Sequence, residues 1–144
     1  MTTQQSYNIF LVDDDPFYLS ILEKRLLNKG YQVISSFTNG VDCLNALDQK
    51  PDVIFIDHHM DTISGYEVLK KIKRFDPNIF VVMVSGQEDI KTAVDSLKHG
   101  AFDYILKSND EEQKINEVLE KIALIKDLQA RNKPSILKSI FSFV

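Results

Sequence analysis

Five short apolar runs alternate with segments of helical spacing along this chain. The runs lie near residues 7–12, 31–36, 52–57, 79–85 and 102–107, and they predict five strands. Val53-Ile54-Phe55-Ile56 and the run at 79–84 are apolar almost throughout, the pattern of a strand covered on both faces, so a parallel sheet is expected. Between the runs, Leu19, Leu22 and Leu26 share one helical face, and Val68, Leu69 and Ile72 share another. Ile90, Val94 and Leu97 form a further stripe, and Ile115, Val118, Leu119 and Ile122 give the fullest i, i+3, i+4, i+7 spacing.

The punctuation agrees with this division. Asp15 is placed to cap a helix whose first residue is Pro16, a position where the missing N–H costs nothing. Gly30 and Gly100 follow the last periodic residues of their helices, where a left-handed cap is wanted. Pro51 and Pro77 sit just ahead of strands, after helices have stopped. The expected architecture is α/β: a doubly wound, five-stranded parallel sheet with helices on both faces and short links.

Such folds bind ligands outside the carboxyl ends of the strands, where the strand order reverses. With order 2-1-3-4-5 that point falls between the first and third strands. Three consecutive acids, Asp13-Asp14-Asp15, end the run Ile9-Phe10-Leu11-Val12, and Asp57 ends the run at 53–56. The fourth strand ends in Ser85 and the fifth in Lys107, so a hydroxyl and an ammonium join the carboxylates on one rim. Two like charges about 4 Å apart repel by roughly 4 kcal/mol at an effective dielectric near 20, so the cluster needs a cation, a raised pKa, or both.

Composition narrows the field. The 144 residues suit one domain; 44% are hydrophobic and 26% charged, an ordinary globular mixture. The net charge of −4 gives no electrostatic reason to expect nucleic acid as a partner. Cys43 is the single cysteine, which excludes an internal disulfide and fits a reducing compartment. Met1-Thr2-Thr3-Gln4-Gln5-Ser6 has neither a basic nor an apolar segment of the signal-peptide kind, and no apolar stretch approaches the roughly 20 residues that span a bilayer. A soluble cytoplasmic protein without a membrane partner is expected.

The rim suits phosphoryl transfer onto a carboxylate. Asp57 is the candidate nucleophile, Asp13 and Asp14 the candidate Mg²⁺ ligands, Lys107 a point charge for one phosphoryl oxygen and Ser85 a hydrogen-bond donor to another. These positions, with Met60 and Gly65 downstream of Asp57 and Tyr104 three residues before the lysine, resemble a response-regulator receiver domain of two-component signalling, similar to the chemotaxis receiver, over residues 7–127. The resemblance implies a flavodoxin-like sheet and a domain that catalyses only its own phosphorylation and dephosphorylation, not a general enzyme. It implies Mg²⁺, or Mn²⁺ in its place, held by Asp13, Asp14, Asp57 and the backbone carbonyl of His59. It implies a histidine kinase or phosphotransfer protein as donor and Ser85 and Tyr104 as the switch. Ser85 would be drawn to the phosphate and Tyr104 would move inward. The output partner is then a downstream protein, or a second copy in a homodimer, meeting the face of the fourth helix, fifth strand and fifth helix.

Two positions depart from the family. Asp61 stands where proline usually follows Met60, and Ser108 stands where proline often follows Lys107, leaving the Lys107–Ser108 bond open to either isomer. These departures keep a pseudo-receiver binding module in view. A Mg²⁺-dependent phosphohydrolase is a weaker rival, because its metal acids and nucleophile normally share one strand end. Simpler readings stand beside the sharper ones: a helix cap for Asp15, a helix-end residue for His99, a solvated face for Lys70, Lys71, Lys73 and Arg74, and packing for Cys43. His58 and His59, adjacent on an extended loop, point apart and make a poor zinc pair. Residues 128–144 form a C-terminal extension in which Ile136, Leu137, Ile140, Phe141 and Val144 resume helical spacing: a short amphipathic helix or the start of a linker.

Overall fold

The computed structural model describes residues 7–87 and 89–131; the extension's apolar positions from Ile136 onward lie outside the described residues. Five strands, β1 (Asn8–Val12), β2 (Val33–Phe37), β3 (Val53–Asp57), β4 (Phe80–Ser85) and β5 (Asp103–Leu106), form one parallel sheet in the order β2-β1-β3-β4-β5. The expected order and strand orientation both hold. Among the described residues five helices follow the strands in turn: α1 (Pro16–Asn28), α2 (Gly40–Asn45), α3 (Gly65–Phe75), α4 (Ile90–Lys98) and α5 (Glu111–Ala130). A 3₁₀ turn at Leu47–Gln49 completes the α2 crossover. α5 runs to Ala130, past the receiver boundary expected at 127.

Each helix start has a local cause. The Asp15 side chain accepts from the Phe17 N–H with Pro16 at the first helical position, while Asn39, Ser64 and Asp89 cap α2, α3 and α4 in the same way. Gly30 and Gly100, both at φ 102°, turn the chain out of α1 and α4, a conformation that costs glycine nothing.

The sheet divides the core in two. On one face Leu19, Leu22 and Leu26 of α1 and Ile115, Val118, Leu119 and Ile122 of α5 pack on Ile9, Leu11, Phe55 and Val84. On the other, Cys43 and Val68, Leu69 and Ile72 of α3 cover Phe10, Ile54, Ile56 and Met83. β3 is buried at every position, which explains its unbroken apolar run. Full burial of such side chains contributes roughly 1.5–3 kcal/mol each, so the central strands are the least deformable part of the molecule. α4 breaks the expected pattern. Ile90, Val94 and Leu97 are 76%, 42% and 46% exposed, and Ser96 is the helix's buried residue. The helix turns its apolar stripe toward solvent because its small residue faces the sheet edge.

Registration fixes where the rim residues fall. Val12 pairs with Ile56, Asp57 with Val84, and Ser85 with Leu106, so the residues that follow β1, β3, β4 and β5 all emerge at one end. Gly65 closes the link from β3. Its N–H donates to the His58 carbonyl at 2.9 Å, and a Cβ there would collide with the Asp57 carbonyl oxygen. Gly65→Ala is therefore expected to cost about 1–3 kcal/mol, read as a lower urea midpoint with an unchanged slope. An unchanged midpoint would mean that the helix does not sit tightly on the strand end.

Candidate functional site

Asp13 leaves β1 with its backbone N–H donating to the Phe37 carbonyl at 3.1 Å, which points its side chain into the rim. Its Oδ1 accepts from the Asp15 N–H at 2.9 Å, and its Oδ2 accepts from Lys107 Nζ at 2.7 Å. Asp57 closes β3, and its Oδ1 lies 3.8 Å from the same ammonium. Asp13 and Asp57 are only 3% and 7% exposed, whereas Asp14 faces solvent. Asp13, Asp14 and Asp57 each offer a carboxylate oxygen, all within 4.8 Å of one another. Three hard oxygen donors at that spacing fit a small divalent cation such as Mg²⁺ or Mn²⁺ better than a soft one.

Electrostatics follow from this crowding. The Asp57 carboxyl is raised to about 6: burial is the largest cause, Asp13 and Asp14 add to it, and the Lys107 ammonium and the His59 backbone N–H oppose it. Lys107 is the one described ammonium that reaches both buried acids. The Lys107–Ser108 bond is trans, which settles the isomer that the sequence left open.

Ser85 is fully buried. Its hydroxyl accepts from the Gln87 N–H at 3.2 Å and donates to the Gln87 carbonyl at 3.3 Å, while its own carbonyl accepts from the Lys107 N–H at 2.8 Å. Tyr104 packs against the core cluster that holds Met83 and Ala101, and its hydroxyl is buried without a partner. The ring thus already lies inward. The His59 ring is edge-on to that of His58 with centroids 4.7 Å apart, so the two rings meet where the sequence suggested they would point apart. Asp61 is exposed, and Thr62, at φ 70°, lets the Ile63 N–H reach the Asp61 carbonyl at 2.7 Å, a tight turn where a proline would stiffen the loop.

Two residues around Lys107 escaped the sequence reading. Tyr18 places its ring centroid 4.1 Å from Lys107 Nζ, and its hydroxyl donates to Glu111 Oε2 at 2.5 Å. Glu111, the first residue of α5, is 9% exposed, with Arg25 Nη1 3.6 Å from the same oxygen. Burial and then the Glu111 carboxylate raise the Tyr18 phenol far above its ordinary range, so it remains a donor. The available signal was the seven-residue spacing of Tyr18 and Arg25, which puts both on one side of α1.

The chain as a whole is similar to known proteins. The family model of the response regulator receiver domain matches residues 9–120. Transcriptional regulatory protein ZraR of Klebsiella oxytoca is 36% identical over 107 residues, 74% of this chain and 24% of that protein. DNA-binding transcriptional regulator NtrC of Proteus hauseri is 30% identical over 142 residues, 97% of this chain and 30% of its own length. The chain thus spans well under half of these curated relatives. Among solved structures, a response regulator receiver domain protein from Clostridium thermocellum has a TM-score of 0.78 at 24% identity, covering 85% of this chain and 98% of that one. The receiver domain of NtrX from Brucella abortus has a TM-score of 0.74 at 27% identity, covering 81% and 98%.

The raised pKa of Asp57 has a consequence for stability. An acid raised by folding from 3.8 to about 6 binds its proton more tightly in the fold than in the unfolded chain, so its contribution to stability falls as pH rises across that window and the full cost stands above it. In metal-free buffer at neutral pH, Asp57→Asn is expected to stabilise the fold by on the order of 1–3 kcal/mol. In denaturant titrations the gain should shrink as pH drops through 6 and vanish below 3.8. A gain that does not change with pH would refute this account of the carboxyl.

Proposed function

The chain belongs to the response regulator receiver domain family of two-component signalling, and from that premise we propose that it is a phosphoacceptor switch, with Asp57 as the residue that takes the phosphoryl group. The observation that carries this reading is the meeting of three carboxylates, within 4.8 Å of one another, with the Lys107 ammonium in one pocket.

In the transfer, a carboxylate oxygen of Asp57 attacks phosphorus. The new O–P bond forms as the bond from phosphorus to the leaving group breaks, and the leaving group keeps the electron pair. That bond is P–N when the donor is a phosphohistidine on a histidine kinase or phosphotransfer protein, and P–O when it is acetyl phosphate. A carboxyl raised only to about 6 is ionised at neutral pH, as a nucleophile must be. The His59 backbone N–H beside that carboxylate favours its ionised form. Lys107 reaches Asp57 from its pairing with Asp13, so a short swing of the stem brings its charge to a phosphoryl oxygen. Asp13, Asp14 and Asp57, together with the His59 carbonyl, would hold Mg²⁺ or Mn²⁺, which when bound offsets the clustered negative charge and orients the phosphoryl oxygens.

The switch is proposed to run through Ser85 and Tyr104. The Ser85 hydroxyl exchanges its Gln87 carbonyl partner for a phosphoryl oxygen. The buried, unpartnered Tyr104 hydroxyl carries a desolvation cost of about 1–3 kcal/mol, which outward rotation of the ring would relieve. Phosphorylation would then select the inward placement. The output face is α4-β5-α5, where Ile90, Val94 and Leu97 stand exposed to meet a downstream protein or a second copy of the chain.

Incubation with Mg²⁺ and acetyl phosphate is expected to add one phosphoryl group by intact mass. Asp57→Asn should abolish the gain, and Lys107→Met should slow it on the order of 10²-fold. Equal mass gain by wild type and Asp57→Asn would sink the assignment.

A further inference from the structure

We propose that Tyr18 is a positioning residue for Lys107, fixed in that role by the buried carboxylate of Glu111. The inference rests on the phosphoacceptor reading above and adds to it a means of control over the lysine.

Lys107 is held by one short contact, the 2.7 Å bond to Asp13; Asp57, at 3.8 Å, lies beyond hydrogen-bond range. A four-carbon stem with a single anchor would leave the ammonium free to swing into solvent once that anchor is lost. The Tyr18 ring face, 4.1 Å from Nζ to centroid, supplies a second attraction on the side where the acids lie. A ring face is weakly directional. It confines the ammonium without fixing it to one oxygen, which suits a group that must pass from Asp13 to a phosphoryl oxygen on Asp57.

The ring does this best when its own plane is fixed. Its hydroxyl donates to Glu111 Oε2 at 2.5 Å, a short charge-assisted bond that also pushes electron density into the ring. Glu111 is 9% exposed, and Arg25 stands 3.6 Å from its carboxylate. α1 therefore supplies both the phenol and the guanidinium that hold this carboxylate. Lys107 and Glu111 bracket the β5–α5 loop, four positions apart, and one phenol touches both ends: the lysine on its face, the glutamate on its hydroxyl. An ordinary packing role for Tyr18 would require neither contact.

The test uses the full chain with ¹³C-labelled lysine. The ε-methylene protons of Lys107 should be shifted upfield by the ring in wild type and in Tyr18→Phe. They should return to the position of the other lysines in Tyr18→Leu and Tyr18→Met. With acetyl phosphate and Mg²⁺, both ring-removing variants should be phosphorylated about three- to tenfold more slowly, with the Mg²⁺ concentration for half-maximal rate unchanged. Tyr18→Phe and Glu111→Gln should each give a smaller slowing, and together no more than either alone. Wild-type rates in both ring-removing variants, or a Lys107 methylene shift that ignores Tyr18, would overturn the proposal while leaving the phosphoacceptor reading intact. Slowing accompanied by loss of Mg²⁺ response and fold in both would also overturn it, in favour of simple packing. A wild type that takes up no phosphate would overturn the earlier reading instead, and the methylene shift would still decide whether Tyr18 holds the lysine.

Discussion

Three carboxylates are brought within 4.8 Å of one another at the end of a sheet whose central strands are almost wholly buried. At that spacing each pair repels by roughly 3–4 kcal/mol at an effective dielectric near 20, and one lysine faces them. The fold does not relax this repulsion by moving the acids apart. Asp13 and Asp57 continue β1 and β3, and those strands are locked in register from Ile9–Val53 to Val12–Ile56 by packing on both faces. The core thus holds the charges together, and the raised pKa of Asp57 is where the resulting cost becomes visible.

That division of labour explains what the sequence could and could not reveal. β3 reads as a strand because all five of its residues are buried, and its last position is an aspartate that is buried with the rest. Caps at Asp15 and Ser64, and glycine at positions 30 and 100, are local decisions that local residues record. The same holds for the acids, Ser85 and Lys107, because strand ends in a parallel sheet share one rim whatever lies between them. The α4 stripe was legible but its direction was not, because spacing reports which residues share a face and not which way the face turns. Ile90, Val94 and Leu97 satisfy the period, and yet Ser96 meets the sheet. Tyr18 and Glu111 lie 93 positions apart, and nothing in either neighbourhood announces the other. Long-range polar contacts of this kind depend on how helices are seated on the sheet, which periodicity does not encode.

The two edges of the site are joined through the backbone as well as through charge. The Lys107 N–H donates to the Ser85 carbonyl, while the Lys107 ammonium reaches Asp13 and Asp57. One residue therefore touches the hydroxyl-bearing strand end with its main chain and the acids with its side chain. Tyr104 pairs with Met83 in the same ladder, two positions before Ser85 pairs with Leu106. A shift of the Ser85 segment would therefore be felt both at Lys107 and two pairs along the ladder, where the Tyr104 hydroxyl sits buried without a partner. A buried polar group with nothing to bond is the element of the rim that most readily changes place, since moving it costs no hydrogen bond. The acids and the lysine are held by the core and by Tyr18; the tyrosine on β5 is held only by packing. In the proposed switch, chemistry at the rigid end of the ladder would be expressed as movement at the loose end, on the face where α4 leaves its apolar side chains exposed.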